Sequence, residues 1–162
     1  MALSAFSFET AAVNAATVDA LERVRQALGV RRTALFWLDD ASSRLACVAT
    51  AGAGGPIGWL GQTLAAGLGM AGRAVREGRP VWTADLLADA RVPIAPWLRD
   101  RLQEEGLRSV AAAPVRVDGA VCGALGFLDG PGRSYDEPAL QQLGRLADEV
   151  AERVTRAVRE GP

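Results

Sequence analysis

Histidine is missing from this sequence altogether, and lysine is missing as well, so that all 18 basic residues are arginines. The absence of histidine removes the commonest general acid and base, the usual zinc ligand and the usual proximal ligand of haem iron. Any chemistry in this chain must therefore use carboxylates, arginine, cysteine, tyrosine or tryptophan. We predict neither a metal site nor catalytic residues.

An excess of charge and long hydrophobic runs are also missing. The formal net charge is -1 at pH 7 and the arginines are scattered, so the chain offers no field that would attract nucleic acid or acidic lipid. No apolar run approaches the roughly 18 residues of a membrane span, and the N-terminus lacks the basic region and apolar core of a signal peptide. We expect a cytoplasmic protein without nucleic-acid or membrane partners.

Cysteine is scarce, with only Cys47 and Cys122 in the whole sequence. Both lie in apolar runs that read as strands, where a thiol usually behaves as a small buried hydrophobe. We interpret both cysteines as core residues.

What the sequence does contain is a central β-hairpin, predicted over residues 109–128. Two runs of small and β-branched residues flank Asp118-Gly119, a pair that supplies the positive φ of a tight two-residue turn. The first run is poor in side-chain volume, with Ala111, Ala112 and Ala113 in succession. Whatever packs on this strand must approach closely or leave a space, and that space is the first indication of function.

The length of 162 residues and the hydrophobic content of 49% fit one domain with a core of its own. The first turns of the N-terminal helix are rich in alanine and threonine, so we predict that residues 1–17 form a helical extension outside the globular body. Periodicity, turn residues and glycine stops predict a helix over residues 8–28, strands over 33–38 and 44–50, a loop or short strand at 57–61, a helix over 67–78, a strand over 80–83, a helix over 96–105, the hairpin, and a helix over 137–159 capped by Asp136.

The last predicted helix carries apolar residues at alternating steps of three and four. This spacing is typical of a coiled-coil seam. We therefore predict a homodimer in which the N- and C-terminal helices form a bundle. The predicted dimerisation residues are Leu143, Ala147, Val150 and Val154.

Several sequence blocks, in this order, resemble the GAF domain, a sensory module of bacterial signalling proteins. The resemblance extends from about residue 18 to the C-terminus. The blocks are Gly69-Met-Ala-Gly-Arg-Ala-Val-Arg-Glu-Gly-Arg-Pro-Val81, Asp85 with Asp89-Ala-Arg91, Gly106-Leu-Arg-Ser-Val-Ala-Ala-Ala-Pro-Val115, Val121-Cys-Gly-Ala-Leu-Gly-Phe127 and Tyr135-Asp-Glu137.

The resemblance implies a GAF/PAS-like α+β fold, an α/β sandwich built on a twisted, mostly antiparallel six-stranded sheet. The N- and C-terminal helices are expected on one face, with pocket-covering helices and loops on the other. It implies a single GAF domain over residues 18–159, with 136–159 as a long signalling and dimerisation helix. It also implies an output kinase, cyclase or regulator domain, in the parent protein or in trans, as in two-component systems.

The known ligand chemistries of the family can be compared with this chain residue by residue. Bilin attachment uses a cysteine before the central hairpin, usually followed by histidine, and residues 85–106 contain neither. Haem-binding members use a histidine, which is absent. The cyclic-nucleotide type carries Asn-Lys-x-x-x-Phe-x-x-x-Asp-Glu, of which only Asp136-Glu137 is present, and this pair reads better as a helix start. We therefore predict no cofactor, with bilin and histidine-ligated haem argued against, and leave open a cyclic nucleotide, which the motif does not support, or an unidentified small molecule.

Free methionine sulfoxide reductases are an enzymatic branch of the same family. Their reaction needs accessible thiolates in loops near the pocket. Cys47 and Cys122 lie in strand interiors instead, and the family's strand order separates them by about 10 Å, which is too far for a disulfide. A reductase is therefore the third hypothesis, and we predict that the chain is not an enzyme.

Tryptophan is the notable aromatic residue, since four of them fall in or near segments that the resemblance places over the binding face. A tryptophan offers a flat apolar wall and one N–H donor to a ligand. The alternative is that these tryptophans are core residues that only fill the space left by the alanine run. Arg91, Arg99, Arg108, Asp85 and Asp89 are candidate polar contacts or surface charges. The candidate pocket residues are Trp37, Trp59, Met70, Trp82, Trp97, Leu98, Val110 and Ala112.

These observations leave two principal hypotheses. The first is a sensory domain that binds a small molecule and relays its state through the terminal helices. The second is a ligand-free interaction module that has a filled pocket and acts only by dimerisation.

Overall fold

The computed structural model describes residues 3–161. Four α-helices and six strands follow a short 3-10 helix at Ala5–Glu9. In chain order they are α1 (Ala11–Leu28), β1 (Arg32–Asp39), β2 (Arg44–Gly52), β3 (Thr63–Leu64), α2 (Gly69–Glu77), β4 (Val81–Thr83), α3 (Pro96–Glu105), β5 (Ser109–Val117), β6 (Ala120–Asp129) and α4 (Glu137–Glu160).

The six strands form one sheet in the order β3-β2-β1-β6-β5-β4. All five neighbouring pairs are antiparallel. The first long strand, β1, therefore pairs with the last strand, β6, at the centre, and the edge strands β3 and β4 are only two and three residues long. The predicted α+β fold on a six-stranded antiparallel sheet is confirmed.

Each face of the sheet carries a hydrophobic core of its own. On one face α1 and α4 pack against residues such as Leu35, Leu125 and Phe127. On the other face, called here the site face, α2, α3 and the connecting loops cover residues such as Phe36 and Ala112. Successive residues of a strand point to opposite faces, so neighbouring residues of β1 and β5 belong to different cores.

Local sequence signals correctly predicted where several helices and strands end. Asp118 and Gly119 have φ values of 51° and 81°, as the predicted two-residue turn between β5 and β6 requires. The Asp136 carboxylate accepts a hydrogen bond of 2.9 Å from the backbone N–H of Ala139, which makes it the N-cap of α4. Helix α1 ends at Gly29 in the left-handed conformation.

The N-terminal segment is part of the globular body rather than an extension. Phe8, Val13 and Thr17 are all buried, and the Phe8 ring lies 5.0 Å from the ring of Trp37. The predicted boundary after residue 17 falls inside α1 and is therefore wrong, because composition alone did not show which alanines contact the sheet. Residues 1 and 2 of the predicted extension lie outside the described residues.

The predicted dimerisation seam on α4 is also wrong. All four of its residues are buried inside their own chain, where they hold α4 on the sheet and against α1. Steps of three and four are shared by a coiled-coil seam and by any helix that covers a sheet, so the pattern could not distinguish them. The four residues are Leu143, Ala147, Val150 and Val154.

Candidate functional site

The floor of the candidate site is a row of very small residues on the site face. Ala34 of β1 lies opposite Gly126 of β6, and Gly126 lies opposite Ala112 of β5. Three adjacent strands thus present almost no side chain at the same level of the sheet. This row leaves room above the sheet that other elements must fill, as the alanine run predicted.

The room above this floor is filled almost completely by side chains from separate elements. Trp59 comes from the β2–β3 loop, Met70 from α2 and Leu98 from α3. The remaining cavity is about 20 Å³, which compares with roughly 300–1,000 Å³ for a typical ligand pocket. In this conformation the site is therefore closed. Its lining is Phe36, Trp59, Leu64, Met70, Ala71, Leu86, Leu98, Val110, Ala111, Ala112, Gly126 and Leu128.

Six of the eight predicted pocket residues belong to the core of the site face. Trp59, Met70, Leu98, Val110 and Ala112 line the small cavity directly. Trp97 stands beside it, 5.8 Å from the Trp59 ring in an edge-to-face arrangement, and its indole N–H donates to the carbonyl of Thr63 at 2.8 Å.

Trp37 and Trp82 lie on the opposite face, so their assignment to the pocket is wrong. Trp37 packs on Phe8, and Trp82 packs on Tyr135 with a ring separation of 5.8 Å, both on the side of α1 and α4. In β1 the alternation of the strand turns Phe36, not Trp37, toward the site. Both residues are apolar, so the sequence contained no signal that would have set this phase.

Arg32 is a polar residue of the site that sequence reasoning missed. Its side chain is 1% exposed, and four hydrogen bonds surround it. Nε donates to Glu105 Oε1 at 2.8 Å, Nη1 donates to Thr50 Oγ1 at 2.9 Å and to the carbonyl of Gly55 at 3.0 Å, and Nη2 donates to the carbonyl of Ala53 at 2.7 Å. A buried charge is tolerated only when it is paired and hydrogen-bonded in this way.

Glu105 and Trp59 complete this buried polar cluster. The indole N–H of Trp59 donates to Glu105 Oε2 at 2.6 Å, and the Arg32 guanidinium lies 4.8 Å from the centre of the Trp59 ring. The Trp59 side chain thus meets a carboxylate at its edge and a cation over its face. Arg32 and Glu105 are 73 residues apart in the chain, and no local pattern in the sequence relates them.

The polar candidates from the sequence stabilise turns instead of lining the cavity. Asp89 accepts hydrogen bonds from Arg91 and, at 2.8 Å, from Thr83 Oγ1, and these bonds hold the pKa of Asp89 well below its usual range. Asp85 accepts from the backbone N–H of Leu87. Arg108 donates to backbone carbonyls, and Arg99 is exposed.

The two cysteines lie on different faces of the sheet. Cys47 belongs to the core of the site face, where burial raises the pKa of its thiol to about 12. Cys122 is the extra residue of a bulge in β6 and packs against the core on the side of α1 and α4. Burial raises the pKa of the Cys122 thiol as well. The two thiols therefore share no site.

One open groove on the surface lies away from this site. A groove of about 630 Å³ runs between α4 and the β5–β6 turn, and it is open to solvent and lined largely by charges of both signs, among them Arg116, Asp148 and Arg156. Mixed exposed charges are ordinary solvated surface. We therefore place the candidate site over the small-residue floor and not in this groove.

Within residues 3–161, no cluster of three or more acidic or cysteine side chains has the geometry to hold a metal ion. None of the helices described there combines the length and the hydropathy of a membrane span.

A family model described as GAF domain matches residues 10–154. The chain belongs to the GAF domain family. No curated protein matches it significantly. GAF domains are typically sensory or regulatory. In this GAF domain the terminal helices cover one face of the sheet and the other helices and loops cover the opposite face, as the resemblance implied.

Solved structures with the same fold share little sequence with this GAF domain. The GAF domain of an Acinetobacter phosphoenolpyruvate-protein phosphotransferase superposes with a TM-score of 0.72 at 16% identity, over 96% of this chain and 90% of that one. Free methionine-R-sulfoxide reductase from Neisseria meningitidis, solved with its substrate, gives 0.69 at 20%, over 90% and 79%. The second GAF domain of DevS from Mycobacterium smegmatis gives 0.68 at 20%, over 91% and 96%. At these identities the similarity establishes the fold.

Proposed function

We propose that this GAF domain is a cytoplasmic sensory module of bacterial signalling that binds a small molecule over the small-residue floor of the site face. The row formed by Ala34, Gly126 and Ala112 carries the proposal. A floor of such small residues leaves a volume above the sheet that other elements must fill. Here three separate elements supply that volume, so their displacement would open a pocket of ligand size.

The sheet itself provides the route for the relay. Ala112 faces the site, while its neighbours Ala111 and Ala113 face the core that holds α4. Gly126 likewise lies between Leu125 and Phe127, which belong to that second core. A ligand that shifts β5 or β6 therefore changes the packing under α4, the longest helix in the described chain.

A homodimer through α1 and α4 and an output kinase, cyclase or regulator domain remain part of the proposal, as partners of a relay. The contact would use the outer side of these helices, since the inner side is buried. A shallow groove between α1 and α4 offers half-buried Leu146 with Arg23, Glu149 and Arg153 around it. Apolar and mixed charged groups in such a groove suit a second copy of the same pair of helices.

The interaction module remains the second candidate, and the closed cavity of about 20 Å³ is the observation that favours it. A reductase activity is not supported by the thiols. Cys47 is buried with a strongly raised pKa, and Cys122 lies on the other face of the sheet. A thiolate nucleophile needs accessibility and a lowered pKa.

Native mass spectrometry of freshly purified protein, with a denatured sample and a UV–visible spectrum alongside, tests the sensory function. We expect a stoichiometric adduct that denaturation releases, or a ligand found in a thermal-shift screen of nucleotides, amino acids and aromatic acids. Ala112→Val narrows the floor and should abolish binding, while Ala120→Val, at an exposed position next to the hairpin turn, should not. A chain without adduct and without any thermal shift would favour the interaction module.

A further inference from the structure

The Trp59 side chain occupies the site as a ligand would. It is completely buried, although it comes from a loop, and it fills the space over the small-residue floor. We infer that the ligand of this site is a flat, nitrogen-containing aromatic ring system with an N–H donor at its edge, and that it binds by displacing Trp59. This inference rests on the proposed function and specifies the ligand class of the same site.

Three contacts of the Trp59 side chain define which ligand could bind in its place. Glu105 Oε2 accepts the indole N–H at 2.6 Å, the Arg32 guanidinium lies over the ring face at 4.8 Å, and the Trp97 ring meets it edge to face at 5.8 Å. A carboxylate selects an N–H donor, and a guanidinium and an aromatic edge select a ring. Together they select a planar heteroaromatic ligand of about the size of an indole.

The charges of the cluster exclude the opposite class, an acidic ligand. Arginine has five N–H donors, and four donor contacts of Arg32 are already made to Glu105, Thr50, Gly55 and Ala53. The guanidinium therefore offers its face to a ligand and has little capacity left to bind an anion. Glu105 would in addition repel a carboxylate or phosphate placed at the N–H position.

The loop that bears Trp59 is rich in glycine, and backbone hydrogen bonds such as Trp59 N–H to the carbonyl of Pro56 at 3.0 Å hold its turns. The φ values of four glycines in this loop lie between 68° and 84°, in a backbone conformation that other residues rarely adopt. They are Gly54, Gly55, Gly58 and Gly61. Its end is fixed to β2 by the backbone bonds of Cys47 to Gly61 and Gln62.

The apolar neighbours of Trp59 in this loop stay outside the core. Ile57 is 81% exposed and Leu60 is 52% exposed, on either side of the buried Trp59. Withdrawal of Trp59 would therefore release the middle of the loop without breaking other packing by these two residues.

Departure of Trp59 leaves a requirement that the ligand must meet. Glu105, whose side chain is partly exposed, keeps its bond to Arg32 through Oε1 but loses the donor to Oε2. A hydrogen bond to a charged group contributes about 1.5–3 kcal/mol, which corresponds to roughly a 10- to 150-fold difference in affinity. A ring without an N–H would leave the carboxylate oxygen unpaired and would bind more weakly by that factor.

The first test uses indole and benzofuran, which have nearly the same shape but differ in the N–H, with the full chain carrying Trp59→Ala. Calorimetric titration should show indole binding at least tenfold more tightly than benzofuran. Adding Glu105→Gln should reduce that preference. Equal affinities, or no binding of indole to folded Trp59→Ala protein, would overturn the inference. If Trp59→Ala does not fold, Trp59→Leu retains part of the apolar volume and serves the same comparison.

The second test examines displacement in the unaltered sequence. The four tryptophans are labelled with 5-fluorotryptophan, and the Trp59 signal is identified by its loss in Trp59→Phe. Indole must compete with a tethered side chain at an effective concentration in the millimolar range, so excess indole should move the Trp59 signal to a solvent-exposed position and leave that of Trp37, on the other face, unchanged. A Trp59 signal that stays at its buried position up to the solubility limit of indole would contradict displacement.

The two proposals fail in different ways. A native adduct that binds while Trp59 remains buried would sustain the sensory function and overturn the inferred ligand class. A preference for indole in the Trp59→Ala protein, with no ligand found for the unaltered chain, would support the inferred ligand preference of the Trp59 position and contradict the sensory function.

Discussion

The guanidinium of Arg32, at the start of β1, meets the carboxylate of Glu105, the last residue of α3, at 2.8 Å. This pair ties the centre of the sheet to a helix of the covering layer. The two side chains differ in exposure, at 1% for Arg32 and 24% for Glu105. Removal of the glutamate would therefore leave the buried Arg32 charge without its carboxylate partner.

Glu105→Ala should lower the free energy of unfolding by about 2–4 kcal/mol, because it leaves Arg32 unpaired and removes the acceptor of the Trp59 N–H. Urea denaturation monitored by far-UV circular dichroism measures this change. The adjacent Glu104→Ala is the matched control, since Glu104 is 64% exposed in its pair with Arg101 and should change stability by no more than about 0.5 kcal/mol. Equal effects of the two variants would show that the buried pair contributes nothing special.

Leu143→Ala should destabilise the fold and leave the association state of the folded protein unchanged. Leu143 lies on the buried side of α4 and is fully buried, and truncation of a buried leucine costs about 2–5 kcal/mol. Urea denaturation gives the stability, and light scattering after size exclusion gives the mass. Gln142→Ala, at the exposed neighbouring position, is the control. A stable Leu143→Ala protein with an altered mass would restore this residue to a subunit interface.

Stability should fall at alkaline pH because of Cys47. Burial raises the pKa of this thiol from its ordinary value of 9.0 to about 12, so the folded state holds the proton more tightly than the unfolded state. The stabilising contribution is complete below pH 9 and is lost as the pH rises toward 12. Urea midpoints between pH 8 and 11 should decline less steeply for Cys47→Ala than for the unaltered chain. Identical slopes would exclude the thiol as the cause.

Asp89 should contribute to stability in the opposite pH range. Its hydrogen bonds from Arg91 and Thr83 lower the pKa of the carboxyl below the ordinary value of 3.8, so the contribution is present above that value and is lost as the pH falls through the folded-state pKa. Asp89→Asn should therefore be less stable than the unaltered chain at pH 7, and the difference should narrow below about pH 4. Thermal melts across pH 2–7 measure it, with Asp100→Asn on the exposed surface of α3 as the control. A difference that does not vary with pH would contradict this role of the carboxylate.

The sequence predicted those parts of the fold that depend on neighbouring residues. The Asp118-Gly119 turn, the Asp136 cap and the Gly29 stop each follow from the conformational preference of one or two residues. Of the floor of the site only Ala112 was foreseen, because three consecutive alanines leave a strand without volume whichever face it presents, whereas Ala34 and Gly126 were not predicted.

The features that the sequence could not predict depend on phase or on distant partners. Phe36 and Trp37 are both apolar, so the choice of which one faces the site is made by the pairing of the whole strand. Val48 is the extra residue of a bulge in β2, and it shifts the alternation there without a sequence signal. The partner of the apolar residues on α4 and the pairing of Arg32 with Glu105 both depend on which surfaces meet after folding. The spacing of residues along one segment does not contain that information.

The position of β1 beside β6 at the centre of the sheet has a consequence for the order of folding. The hairpins β1–β2 and β5–β6 can each form from nearby residues, but they join only when the second has been synthesised. Closing the long intervening loop costs conformational entropy before the central contacts form. During translation one edge of β1 in the N-terminal hairpin therefore stays unpaired until β6 has been synthesised. The nascent chain should be most vulnerable to aggregation and to chaperone capture in that interval.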